Sequence, residues 1–327
     1  MTGVVASAER HQVGVYLGAL TLGGLLGTTA PGTAPALGHV IVPLLGLLLF
    51  ATFLQVPFTA LTRAFRDGRF LGVVAGLNFV VVPLMVWALT LLVPDTQAVL
   101  LGVLLVLLAP CIDYVIVFTG LAGGAGHRLV AAAPVLMVAQ LLLLPVYLVL
   151  FLGPGVAGVV DPAPFLRALL ALIVAPLLAA LGTEVLARRH RAGVVITEVM
   201  TALMVPLLAT TLLTVVASQV PQVSDALGTV ARVVPVFALF AVAMTGLGWG
   251  AARLTRTDPA AGRAVLFSGV TRNSLVVLPL ALALPVGYEL TPVVVVTQTL
   301  VELVAMLVLV RLVPRLLPQR PAGPGQG

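Results

Sequence analysis

Leu108-Ala-Pro-Cys-Ile-Asp-Tyr-Val115 places a proline, the only cysteine of the chain and a carboxylate within four residues. The stretch lies in the middle of an apolar segment, 98–120, of transmembrane length. Pro110 removes a backbone donor and clashes with the preceding turn, and hydrocarbon offers no water to take up the freed groups. Broken backbone at membrane depth is tolerated where it lines a cavity. Asp113 points the same way, because a carboxylate near a helix centre costs about 2.5–3.5 kcal/mol on insertion scales and usually faces a substrate or ion path. A proline kink beside a satisfied buried Asp is the plainer alternative.

Composition agrees with a membrane chain. Hydrophobic residues make up 61% and charged residues 9%, mean hydropathy is +1.20, and apolar runs of about 20 residues recur. The first run is not followed by a small-residue cleavage site and a polar domain, so it reads as a span and not as a removable signal. One cysteine excludes an internal disulfide and multi-cysteine metal sites. A pI near 10.7 could suggest nucleic acid, but lysine is absent and the arginines fall in short loops between spans. No nucleic-acid partner is expected.

The expected fold is therefore an all-α polytopic membrane protein with ten spans, at 13–29, 37–58, 70–93, 98–120, 128–152, 164–187, 193–217, 228–252, 261–285 and 290–313. Fourteen of the seventeen arginines, Arg10, Arg63, Arg66, Arg69, Arg128, Arg188, Arg189, Arg191, Arg253, Arg256, Arg263, Arg311, Arg315 and Arg320, fall on one side of that arrangement. The opposite loops carry Asp95, Asp161, Asp225 and Glu289. Positive residues mark the cytoplasmic side, so both termini are expected there. Pro134 to Leu144 matches Pro292 to Glu302 at five of eleven positions, an offset of 158. Halves of five spans each, 1–160 and 161–313, followed by a disordered tail, 314–327, must be inverted relative to each other, as in many secondary transporters. The offset carries the opening stretch into Phe267-Ser-Gly-Val-Thr-Arg-Asn-Ser274. Broken helices four and nine would then cross near the midplane.

Few polar residues lie within spans. Arg272 and Glu302 would each be costly alone, so a mutual pair or a pair with Asp113 is expected. Gln298 and Glu302, four apart, share a helical face. Asn78 is read either as a ligand of the site or as an interhelical hydrogen bond. Glu198 lies near the arginines at 188–191 and ranks lower. The histidines, at 11, 39, 127 and 190, sit near span ends without ligand spacing, so neither a metal nor a cofactor is expected.

These residues resemble the arsenite efflux permeases of the bile acid/arsenite transporter superfamily. Leu108-Ala-Pro-Cys-Ile-Asp-Tyr-Val115 is similar to that family's Leu-Ala-Arg-Cys-Ile-Ala-Met-Val, Asn78-Phe-Val-Val-Val-Pro83 to Asn-Trp-Val-Ile-Gly-Pro, and Leu300-Val-Glu-Leu303 to Leu-Val-Glu-Val. The resemblance implies metalloid efflux across the plasma membrane, and proton antiport or an uncoupled route is the expected mode. Cys111 would contact the arsenical, with Asn78, Asp113, Asn273 and Gln298 around it, and Glu302 with Arg272 would form the coupling or charge pair. The implied partners are arsenite or a related oxyanion, protons and the bilayer; a homo-oligomer is compatible. Departures are Pro110 for arginine, Asp113 for alanine, and Arg272-Asn-Ser274 for Ser-Asn-Asn. Trivalent arsenic is soft and prefers sulfur, and one thiol gives the modest affinity that release requires.

In the related sodium-coupled bile-acid symporters the ninth span supplies oxygen ligands to sodium. Here Ser268 and Arg272 replace the glutamate and glutamine of that pattern. A guanidinium has donors and no acceptor, so it cannot coordinate a cation and could stand in for one. Symport of bile-acid-like organic anions is the alternative function, and a non-transporting sensor a remoter one. The motifs of intramembrane proteases are absent from the sequence, which argues against an enzyme.

Overall fold

The computed structural model describes residues 12–54, 67–93, 96–111, 114–153, 170 and 174–318. The described residues hold helices and no named strand. In chain order these are α1 (Gln12–Thr29), α2 (Ala34–Leu54), α3 (Gly68–Gly76), a π-helical turn (Leu77–Val81), α4 (Val82–Thr90), α5 (Gln97–Leu107), α6 (Tyr114–Leu121) and α7 (Gly126–Leu152). Then come α8 (Ala175–Ala187), α9 (Arg191–Asp225), α10 (Leu227–Leu254), α11 (Pro259–Val270), α12 (Ser274–Leu282) and α13 (Leu290–Leu316). Among the described residues six helices are long and apolar enough to cross a bilayer, by length and composition. The segments expected at 98–120 and 261–285 are each split into two shorter helices, α5/α6 and α11/α12. Asp113, the boundary at 160/161 and the tail from 319 onward lie outside the described residues.

The helices sort into two packed groups. In one, α1 and α2 lie along α9, and α8 packs on α2 and α9. A Cβ at Gly23 would sit 2.7 Å from the Leu213 carbonyl, and one at Gly27 2.9 Å from that of Ala217. Small residues thus let α1 approach the α9 backbone, the usual device where lipid removes the hydrophobic drive for helix association. In the other group α10 packs on α11 and α13, α13 on α5 and α12, and α6 on α7. At Gly102 of α5 a Cβ would meet the Val294 Cβ at 2.8 Å and the Thr291 carbonyl at 3.0 Å. The Thr291 hydroxyl donates to the Ala98 carbonyl at 2.8 Å.

Charges at the helix ends set the register of this second group. Asp67 accepts from the Phe70 N–H at the start of α3 and Asp258 from the Ala261 N–H at the start of α11. Arg128 bridges the two carboxylates at 3.5 and 3.0 Å. These groups are partly exposed, so the pairs contribute little each, but they tie together the helices leading to Asn78 and to Arg272. Arg263 corrects its expected place in a loop: it is 5% exposed. Its guanidinium donates to the carbonyls of Leu317, Ala122 and Gly123. Before α13, Gly287 adopts φ +103, and its N–H donates to Glu289 at 2.9 Å, holding that carboxyl below the usual carboxylate range.

Pro110 lies opposite Arg272 in an antiparallel bridge, so the two interruptions face each other. The helices that follow them, α7 and α13, are each 27 residues long.

Candidate functional site

The two interrupted helices meet at their breaks, and the broken backbone of each is repaired by the other. Pro110 has no N–H. Beyond it, the Cys111 N–H donates to the Thr271 carbonyl at 3.3 Å, and the Asn273 N–H donates to the Ala109 carbonyl at 2.7 Å. This reciprocal exchange is one rung of antiparallel ladder, placed where the helical pattern cannot continue. The Arg272 N–H donates to Glu302 Oε2 at 2.8 Å. Asn273 caps α12, its side-chain oxygen accepting from the Val276 N–H.

Arg272 is fully buried. Its Nη1 donates to the Leu107 carbonyl at 3.2 Å, and its Nη2 to Asn78 Oδ1 at 2.7 Å and to the carbonyls of Ser268 and Gly269 at 2.8 Å each. Leu107 ends α5, and Ser268 and Gly269 lie in the last turn of α11. The negative ends of two helix dipoles therefore converge on one guanidinium, which offsets part of the several kcal/mol needed to bury the charge. The Phe240 ring centroid lies 5.5 Å from the guanidinium carbon and adds a cation–π contribution.

Asn78 sits in the π-helical turn, a geometry frequent at functional sites. Besides accepting from Arg272, it donates to the Val74 carbonyl at 3.0 Å and the Ser268 hydroxyl at 2.9 Å. On α13, Gln298 Nε2 donates to Glu302 Oε2, so the four-residue spacing does place both on one face. The structure thus links Asn78, Arg272, Gln298 and Glu302 through consecutive hydrogen bonds. Cys111, 1% exposed, joins them through its backbone, and Asn273 through the rung and its cap. Asp113, the remaining expected site residue, lies outside the described residues. Glu198 is exposed on α9, away from this buried set.

Among the described residues, Asn273 Nδ2, Ser274 Oγ and Gln298 Oε1 near the second break are buried without a hydrogen-bond partner. Such atoms are rare in interiors and mark places where a ligand or water completes the set. One donor, one hydroxyl and one acceptor suit a small hydroxylated solute. Ser268 and Ser274 belong to the polar run that marks the second break in the sequence, but neither is among the expected site residues. The carbonyl cage of Arg272 was invisible in the sequence, being made of backbone atoms.

The model of the sodium bile acid symporter family matches residues 42–225, more than half of the chain. The chain belongs to the sodium bile acid symporter family. Its members are transporters, not enzymes, and together with the apolar helices this makes the chain a multi-pass membrane protein. No curated protein matches the chain significantly. The family match covers α9 and the first break and ends before the second, so Arg272 and Glu302 lie beyond it.

Proposed function

We propose that this family member is a sodium-independent secondary transporter that exports trivalent metalloid hydroxides, arsenite first and antimonite second. The observation that carries the sodium independence is the Arg272 guanidinium, seated among four oxygens at the ends of two half-helices. Half-helix C-terminal ends and unwound carbonyls are what such transporters present to a coupling cation. Here the cation is covalently attached. The architecture we propose is two inverted five-helix repeats, 1–160 and from 161 onward, in the plasma membrane with both termini cytoplasmic; the tail expected at 314–327 starts only after α13, which continues to Leu316. The meeting of two interrupted helices at their breaks supports the duplication.

In this reading Cys111 contacts the metalloid, and Asn78, Asp113, Asn273 and Gln298 bond its hydroxyls. A single cysteine at the first break and unpartnered polar atoms at the second support it. Accumulation of arsenite and antimonite in a sensitive host, with and without the protein, tests the function. Cys111→Ser should abolish extrusion while membrane expression is unchanged. Undiminished efflux in that variant would rule out the thiol mechanism.

Protons take the coupling role through Glu302. Burial and a nearby guanidinium act on a carboxylate in opposite senses, so a change in their separation during the cycle loads and unloads a proton. Glu302→Gln should lose uphill efflux and keep substrate exchange. If it retains the wild-type response to a pH gradient, Asp113 becomes the candidate. The second reading, sodium-coupled symport of bile-acid-like anions, is favoured by the family match itself. Replacing sodium with choline during transport separates the two, since only symport should stop.

A further inference from the structure

We infer that Tyr147 is a positioning residue for the buried Asn78–Arg272 link. The inference rests on that link belonging to the site proposed above. In a regular helix the Phe79 carbonyl would accept from the N–H of residue 83, but residue 83 is proline, which has none and whose ring pushes that carbonyl aside. The chain responds with the π-helical turn, in which the Val82 N–H reaches back to the Leu77 carbonyl. The displaced Phe79 carbonyl takes its donor from another helix: the Tyr147 hydroxyl of α7, at 2.6 Å.

The surroundings explain why this hydroxyl matters. Phe79, Pro83 and Tyr147 line an apolar groove of about 720 Å³, together with Leu84, Trp87 and Leu150. The last three are more than half exposed on the outer surface. In a bilayer this groove fills with hydrocarbon, which cannot bond a carbonyl. The Phe79 carbonyl is on one side of the turn, and the neighbouring Asn78 side chain points inward to Arg272 and Ser268. Tyr147 therefore fixes the turn from its lipid side and, through it, the direction of the amide. From Asn78 the connection runs to Arg272, to its rung with Pro110, and so to Cys111.

Because Cys111 is the only cysteine, its alkylation by N-ethylmaleimide in the purified full-length protein reports on the junction without any transported substrate. Tyr147→Phe should raise the alkylation rate about fivefold, the effect of losing one hydrogen bond that resists local opening. Asn78→Ala should raise it at least as much, and the double variant no further. In Pro83→Ala residue 83 regains an N–H, the Phe79 carbonyl has a donor within its own helix, and Tyr147→Phe should then change nothing. Multiplying effects in either pair, or an unchanged rate in Tyr147→Phe alone, would reduce Tyr147 to ordinary packing and overturn the inference. Failure of the metalloid reading would show instead as efflux surviving Cys111→Ser, and labelling of the other variants does not depend on it.

Discussion

The two breaks solve the same problem with opposite chemistry. The first interrupts its helix by subtraction: Pro110 withholds a donor, and the half-helix α5 is left with its last carbonyls unserved. The second interrupts by addition. Asn273 offers α12 a cap, and Arg272 brings a guanidinium whose Nη1 and Nη2 serve the carbonyl ends of both α5 and α11. One arginine thus completes two broken helices, and the proline break depends on its partner more than the reverse. The arginine stands across the rung, at the residue facing Pro110.

If this asymmetry is real, removing the guanidinium should be the most damaging single change at the junction. Arg272→Ala leaves Asn78 Oδ1 and three carbonyls without their donor, and should cost about 3–5 kcal/mol of unfolding free energy, or prevent folding. Arg272→Lys should recover part of that loss, since an ammonium keeps the charge but cannot reach all four acceptors. Unfolding titrations of the purified variants measure both. Equal stability of the Ala variant and the wild type would break the comparison. A smaller loss, about 1 kcal/mol, is expected for Asn273→Ala, which removes the side-chain cap of α12 but keeps the backbone rung to Ala109.

Much of this was legible in the residues, for identifiable reasons. Apolar runs of bilayer length fix helices with little ambiguity, and each expected span contains helix among the described residues. Pro110 beside Cys111 and Asp113, and the polar run from Ser268 to Ser274, pointed to the breaks because such clusters are costly inside apolar segments; prolines alone did not, since Pro206 and Pro221 lie inside the continuous α9. The spacing of Gln298 and Glu302 gave their shared face. What stayed hidden was made by backbone. The Arg272 cage consists largely of carbonyls, which every residue possesses, and so has no sequence signature. Arg263 looked like another loop arginine until its burial against the carbonyls of Leu317 and Ala122 appeared.

The central claim is that Arg272 occupies the place of a coupling cation, and it can be tested on the purified protein before any substrate is known. Thermal unfolding would be followed in sodium chloride and in choline chloride at matched concentration. A native-state sodium site with a dissociation constant of about 10 mM would add about 1.4 kcal/mol of stability at about 100 mM sodium. The account predicts coincident unfolding midpoints in the two salts across the concentration series. A saturable rise of the midpoint with sodium, absent in choline, would contradict it.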